Sequence, residues 1–335
     1  MICRDPQKNI AITMGCPVGI GPEIILRFMA DPAMKSDYRP VVIGDPGVLA
    51  RCASDLGIDL DICLWQPGQV PKDGCLNVFS GSDLAGNHQW GQPGLHTGRA
   101  MGEYIEQAVK LIFAGEMAGL VTCPITKSAL NKAGYIYPGH TEMLAFLCDA
   151  PDYAMMMAGN KLRVTLVTIH EGMAAVPRLI DRAGVLRMIK ITGRALRVDF
   201  GISHPRIAVA GLNPHAGEAG MFGDEEISEI SPAIAEAVAQ GWDVQGPFPP
   251  DTVFNKAVAG QFDAVVCMYH DQGLIPFKLL HFEDGVNVTL GLPIVRTSVD
   301  HGTAYDIAGQ GIANPASLAA AFRLAGEIVQ NRKRR

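Results

Sequence analysis

Residues 206–218 read RIAVAGLNPHAGE: a β-branched, apolar run, then Asn213-Pro214 and His215 beside Gly217 and Glu218. Three more stretches repeat the plan. RVTLVTI (163–169) leads to His170-Glu171, DAVVCMY (263–269) to His270-Asp271-Gln272-Gly273, and PIVRTSV (293–299) to Asp300-His301-Gly302. Short apolar runs of this kind are read as buried strands, and stretches of helical period lie between them. Met101, Tyr104, Ile105, Ala108, Leu111 and Ile112 follow the i, i+3, i+4 spacing of an amphipathic helix, ahead of the strand-like GLVTC (119–123). Further helices are expected near 182–199, 225–240, 251–259 and 315–331. The alternation predicts an α/β fold with a largely parallel central sheet covered by helices. One interruption is expected in 154–169, where two apolar runs flank Gly159-Asn160, a dipeptide that favours a tight antiparallel hairpin.

Open α/β sheets bind ligands outside the carboxyl ends of their strands. The four strand-end histidines, with His140 in GHTE (139–142), are therefore candidates for one site. A lone histidine after a strand is more often a capping residue than a ligand, so it is the repetition that carries this reading. Imidazole suits zinc, cobalt, nickel or iron(II), and a neighbouring carboxylate fixes its tautomer or shares coordination. There is no HExxH, so such a site has to be assembled from distant segments. Arg296, inside an apolar strand, is costly unless paired; its partner is either a bound carboxylate or phosphate or a structural acid. Lys127 and Lys278 also follow strands and are candidate anion contacts, while Asn287 reads as a turn residue. Residues 10–14 read as the first strand. The GCPVGIGPE that follows (15–23) is either a sharp structural turn or an anion-binding loop, without the Lys-Ser/Thr of a P-loop or a full GxGxxG.

The 335 residues, 48% of them hydrophobic, are enough for two lobes. A net charge of −6 and the lack of a basic face argue against a nucleic-acid partner. The one basic cluster, Arg332, Lys333, Arg334 and Arg335, reads as a frayed helix end. The opening MICRDPQKNI lacks the apolar core of a signal peptide, and no apolar run is long enough to cross a membrane. The eight cysteines, at 3, 16, 52, 63, 75, 123, 148 and 267, contain no CxxC pair. They read as reduced, mostly buried thiols, and a cytoplasmic location is expected.

TMGCPVGIGPEI (13–24), GHTEMLA (139–145), GLNPHAGE (211–218), PPDTVF (249–254), YHDQGLIPFK (269–278), GVNVTLGLP (285–293) and RTSVDHGTA (296–304) occur in this order. Together they resemble the 4-hydroxythreonine-4-phosphate dehydrogenase family nearly end to end. The resemblance implies a fold like that of isocitrate and isopropylmalate dehydrogenases, two α/β lobes with a cleft between them. The first lobe is expected at 1–125 plus 290–335; the second, 126–289, is expected to carry the metal ligands and a homodimer interface. NAD or NADP is implied, bound without a Rossmann fingerprint. So is one divalent ion (zinc, magnesium, cobalt or manganese) held by His170, His215 and His270, the last contributed across the dimer. Substrate contacts carry over to His140, Thr141, Lys278, Asn287 and Arg296, and Lys278 and Asp271 are the acid/base candidates. His301 keeps a supporting role. The implied reaction is oxidation, with decarboxylation, of a 4-phosphorylated 3-hydroxy acid.

Two departures stand out. The family's first motif usually reads TMGDP, where this chain has Cys16; after NPHAGE the family usually reads GGHMG, where residues 219–223 are AGMFG. Met221 and Phe222 make this version look more like a branch that oxidises D-threonate or D-erythronate 4-phosphate. A metal-dependent hydrolase or a phosphoryl or acyl transferase on the same scaffold is a further alternative. A catalytically silent binding protein is disfavoured, because the ligand, anion and acid/base positions are all retained.

Overall fold

The computed structural model describes residues 8–31, 36–84 and 88–334. In chain order the first half comprises β1 (Asn9–Thr13), α1 (Gly21–Ala30), β2 (Arg39–Gly44), α2 (Pro46–Leu56), β3 (Ile62–Leu64), β4 (Leu76–Ser80), α3 (Leu95–Phe113), β5 (Gly119–Thr122), α4 (Lys127–Lys132) and α5 (His140–Leu147). Next come β6 (Ala154–Ala158), β7 (Arg163–Leu166), α6 (Val176–Leu179), α7 (Arg182–Val198) and β8 (Arg206–Ala210). A π-helical turn, Glu226–Ile230, runs into α8 (Ser231–Ala239). The chain ends with β9 (Asp243–Phe248), α9 (Val253–Val258), β10 (Ala264–Cys267), α10 (His270–Leu280), β11 (Val286–Leu290), β12 (Arg296–Val299) and α11 (Ala316–Lys333).

These elements divide into two compact units. One holds the described residues up to Pro151 together with Leu292–Val329; the other holds Asp152–Gly291 and the described residues from Gln330 on. Residues 126–151, assigned to the second lobe from sequence, therefore pack with the first unit, taking His140 and Thr141 with them. In the first unit the strand order is β3-β4-β2-β1-β5-β12, parallel throughout. β1, β5 and β12 are buried at every residue, as expected of strands covered on both faces. Asp45 starts α2 by accepting a hydrogen bond from Val48 N at 3.0 Å, and Gly57 closes it in the left-handed conformation that glycine adopts at no steric cost.

In the second unit the order is β11-β6-β7-β10-β8-β9. β7, β10, β8 and β9 are parallel. β11–β6 and β6–β7 are antiparallel, the latter being the hairpin expected around Gly159-Asn160. Met157, Val164, Leu166, Ala208, Val265, Cys267, Leu274 and Phe277 make its core. Fully burying each of the larger aliphatics contributes about 1.5–3 kcal/mol. Asn287 lies within β11, opposite Met157, and not in a turn.

Two other expectations are corrected. Cys63 and Cys75 form a disulfide across a 12-residue separation, with Cα atoms 6.1 Å apart, because the parallel pairing of β3 with β4 draws the two chain segments together. Cys16, Cys52, Cys123, Cys148 and Cys267 are buried thiols, and Cys3 lies outside the described residues. Nor is the last helix frayed at Arg332. Its Nε donates to Asp199 Oδ1 at 2.6 Å, and Asn331 Nδ2 donates to Asp199 O at 2.8 Å; Arg335 lies outside the described residues. Asp199 is only 3% exposed, so removing the guanidinium leaves a buried carboxylate without its cation. Arg332→Ala is expected to lower unfolding free energy by about 1.5–3 kcal/mol in urea titration; a change within error would show that this ion pair contributes nothing.

Candidate active site

In the second unit, parallel pairing continues past the ends of β7 and β10. Val167 N donates to Cys267 O at 2.8 Å, and Thr168 N and Oγ1 both donate to Met268 O, at 3.1 and 2.8 Å. The two strand extensions therefore run side by side, and the rings of His170 and His270 meet with centres 5.7 Å apart. His270 opens α10. Its Nδ1 lies 2.6 Å from Asp271 Oδ1. An ionised carboxylate only accepts, so Nδ1 carries the hydrogen and, in the neutral ring, Nε2 presents its lone pair. A carboxylate bonded to one ring nitrogen in this way orients a metal-binding or proton-accepting imidazole.

Gln272, only 6% exposed, joins this corner to β8. Its Oε1 accepts from Met268 N and its Nε2 donates to Gly211 O, both at 2.7 Å. Beyond Gly211 the chain enters the loop of His215. Five consecutive residues there are left-handed, from His215 (φ 54°, ψ 25°) to Ala219 (φ 57°, ψ 33°). All but Gly217 carry a Cβ, and each such residue costs roughly 1 kcal/mol in this conformation. His215 is exposed, with the Phe222 ring centred 6.2 Å from its own. Among the described residues no three His, Cys, Asp or Glu side chains are grouped closely enough to hold a metal ion. One chain thus brings His170 and His270 together but does not group His215 with them. The pair fits two imidazole ligands of a divalent ion. Lys278 is half-buried, on α10 just over two turns beyond His270, and Asp271 is exposed.

In the first unit, Arg296 on β12 is 3% exposed, and its guanidinium donates to Thr122 Oγ1 at 2.8 Å. Burial lowers its pKa to about 10, opposed by Glu142, so it stays cationic at neutral pH. His140 opens α5 after Gly139. Its Nε2 is enclosed and makes no hydrogen bond, and burial, then the Arg296 charge, push its pKa well below the ordinary 6.5. Lys127, the first residue of α4, passes close by: a Cβ built on Gly139 would stand 3.7 Å from Lys127 Cε. The neutral imidazole therefore lies within reach of the Arg296 charge, which the Glu142 carboxylate opposes, and Lys127 and Glu142 both stand beside Gly139. Thr141 follows His140 on the same helix. In the second unit the Asn287 Oδ1 is likewise enclosed without a hydrogen bond. His301 Nδ1 lies 3.1 Å from Gly302 O, a bond within its own loop.

The profile described as pyridoxal phosphate biosynthetic protein PdxA matches residues 36–325. A 4-hydroxythreonine-4-phosphate dehydrogenase of Desulfosudis oleivorans is 54% identical over 96% of both chains. The crystal structure of the enzyme of that name from Klebsiella pneumoniae superimposes with a TM-score of 0.88 at 41% identity, covering 96% of this chain and all of that one. The chain belongs to the PdxA family. As a member it is an oxidoreductase. A Bradyrhizobium diazoefficiens protein provisionally named D-threonate 4-phosphate dehydrogenase is 45% identical over 96% of this chain and 97% of its own. At fold level, isocitrate dehydrogenase from Methylococcus capsulatus matches with a TM-score of 0.50 at 16% identity, covering 97% of this chain and 86% of that one.

The structure gives a setting for Cys16, where this PdxA-family chain departs from the usual aspartate. Cys16 is fully buried, its N donates to Pro124 O at 2.8 Å, and its Sγ lies 3.3 Å from the Tyr305 hydroxyl. Tyr305 also hydrogen-bonds the Thr126 hydroxyl. Burial raises the thiol pKa, so a neutral group stands at this position. The loops after β1, β5 and β12 are thereby tied together. Gln272 and Tyr305 were not singled out from sequence; only the presence of Gln272 inside the YHDQG motif could have flagged it.

His140 supplies a pH test. Its folded pKa lies below the unfolded 6.5, so below pH 6.5 the unfolded chain binds the extra proton and stability falls as pH falls. This loss has a limiting slope of about 1.4 kcal/mol per pH unit. His140→Gln is expected to remove that part of the decline between pH 6.5 and 5 in urea titrations. An unchanged pH dependence would show that the ring is not held neutral.

Proposed function

We propose that the chain oxidises the secondary alcohol of a 4-phosphorylated 3-hydroxy acid with NAD or NADP, and that the resulting β-keto acid loses carbon dioxide. The observation that carries this reading is the paired His170 and His270 with Asp271 holding the His270 tautomer, in a chain of the PdxA family. The lead substrate is 4-hydroxythreonine 4-phosphate, after the name of relatives such as that of Desulfosudis oleivorans.

His170, His215 and His270 would hold a divalent ion such as zinc, magnesium, cobalt or manganese; the resemblance implied His270 from across a homodimer, whereas here it meets His170 within one chain. When bound, the ion supplies Lewis acidity at the oxygen that passes from alcohol to ketone. The chain's own groups do the rest. In the first unit Arg296 and Lys127 offer cations to a phosphate or carboxylate, with His140 and Thr141 as polar contacts; in the second unit the enclosed Asn287 Oδ1 is a further proposed polar contact. A bound nicotinamide would supply the hydride acceptor for the carbinol carbon, and the hydroxyl proton passes to a base. Lys278 and Asp271 are the candidates for that transfer, Asp271 also orienting the His270 ring. The exposed apolar side chains of Ile275 and Leu279, one turn apart on α10, with Phe282 just beyond, support self-association through the element that carries His270.

One observation favours a second reading, the 4-phosphate of D-threonate or D-erythronate. Met221, exposed to solvent, stands where the family usually has the histidine of GGHMG, Phe222 beside it sets an aromatic ring near His215, and these acids bear a hydroxyl in place of the amine.

Recording NADH or NADPH formation with each acid, in the presence of zinc, cobalt, manganese or magnesium, tests both. Turnover of one of them is expected, with His270→Ala slower by about 100-fold or more. No turnover of either would sink the proposal, and product release without a nucleotide would point to a hydrolase or transferase.

A further inference from the structure

The loop that carries His215 is held in an unusual backbone conformation, and one buried carboxylate accounts for how. Glu226 opens the π-helical turn before α8 and is 3% exposed. Its Oε1 accepts from two backbone amides at the loop's entrance, Leu212 N at 2.7 Å and Asn213 N at 2.8 Å. Its Oε2 accepts from Asn213 Nδ2 at 2.9 Å, and Glu225 Oε2 accepts from the same amide nitrogen at 2.7 Å. The loop also closes over this carboxylate. A Cβ added at Gly217 would stand 2.7 Å from Glu226 Oε2, and one at Gly211 would stand 3.0 Å from Oε1. Glu226 therefore grips the chain at 212–213 and supports it from beneath at Gly217, the midpoint of the left-handed run. His215 lies between those two points of contact.

We infer that Glu226 is a positioning residue for His215: its carboxylate holds the left-handed loop in the shape seen here and so sets where this imidazole stands for the divalent ion of the proposed reaction. The inference rests on the metal reading given above. Charge and shape both matter. A carboxylate offers acceptors on both oxygens, and all the loop groups that face it are donors. Five left-handed residues in succession would relax toward ordinary backbone if those acceptors were lost. The loop would remain folded against the protein, but its histidine would point elsewhere.

The test is a cobalt(II) titration of the whole protein, followed by calorimetry and by the visible absorption of the bound ion, with wild type and Glu226→Gln. Glutamine keeps the volume and one acceptor, but turns an amino group toward the Asn213 amino group, donor against donor. The variant is expected to remain folded by far-UV circular dichroism, to bind cobalt about 10–100-fold more weakly, and to show an altered visible spectrum. A variant that is less stable yet binds cobalt with wild-type affinity and spectrum would overturn the inference and leave the metal reading intact. Wild type that binds no cobalt would overturn both. Should Glu226→Gln fail to fold, Gly217→Ala decides the matter alone, since its Cβ presses on the same carboxylate from the loop side. Weakened cobalt binding in that variant supports the inference, and wild-type binding overturns it.

Discussion

The side-chain amide of Gln272 sets the geometry on which the histidine corner depends. Parallel strands end without any rule that keeps their continuations together, because the ladder stops and each chain turns toward a different helix. Here the amide accepts from Met268 N and donates to Gly211 O, so the exits of β10 and β8 are locked to each other. The exits of β7 and β10 are locked in turn by Thr168 on the Met268 carbonyl. Both bonds are buried, where breaking one leaves an unsatisfied group at a cost of about 1–3 kcal/mol. The His170–His270 pair follows from this clamp, not from any direct attraction between two imidazoles.

The first unit solves a similar problem with different chemistry. Tyr305, from the loop after β12, reaches the Cys16 sulfur and the Thr126 hydroxyl, from the loops after β1 and β5. The glycines make this closeness feasible: a Cβ at Gly19 would stand 3.0 Å from Thr303 O. The glycine turn at 15–23 is thus a packing device between strand-end loops, whatever else it binds. Arg296 sits in the sheet beside this assembly, its buried guanidinium donating to Thr122 Oγ1.

Much of this was legible in the sequence, for physical reasons. Fully buried strands read as apolar runs, so residues 119–122, 163–166, 206–210 and 264–267 were visible, as was the hairpin at Gly159-Asn160. The histidines were visible because each follows such a run. What was hidden depends on contacts between distant segments. Asn287 reads as a turn residue by composition, yet β11 places it opposite Met157. The Cys63–Cys75 bond depends on the pairing of β3 with β4, which no spacing rule reveals. Arg332 reads as a solvated end because Asp199 lies more than a hundred residues away. Glu226 reads as one more charge on a helix, since nothing local shows that 212–217 folds back over it.

The proposed function depends on His170 and His270, whose rings meet, acting as one unit toward a divalent ion. Its most direct test is to follow the imidazole nitrogen resonances of both histidines, assigned by substitution, during a zinc titration. The account predicts that the Nε2 signals of His170 and His270 shift together and saturate at one ion per chain, while Nδ1 of His270 keeps its hydrogen. Two histidines that respond at different zinc concentrations, or a zinc titration that leaves His270 unmoved, would contradict it.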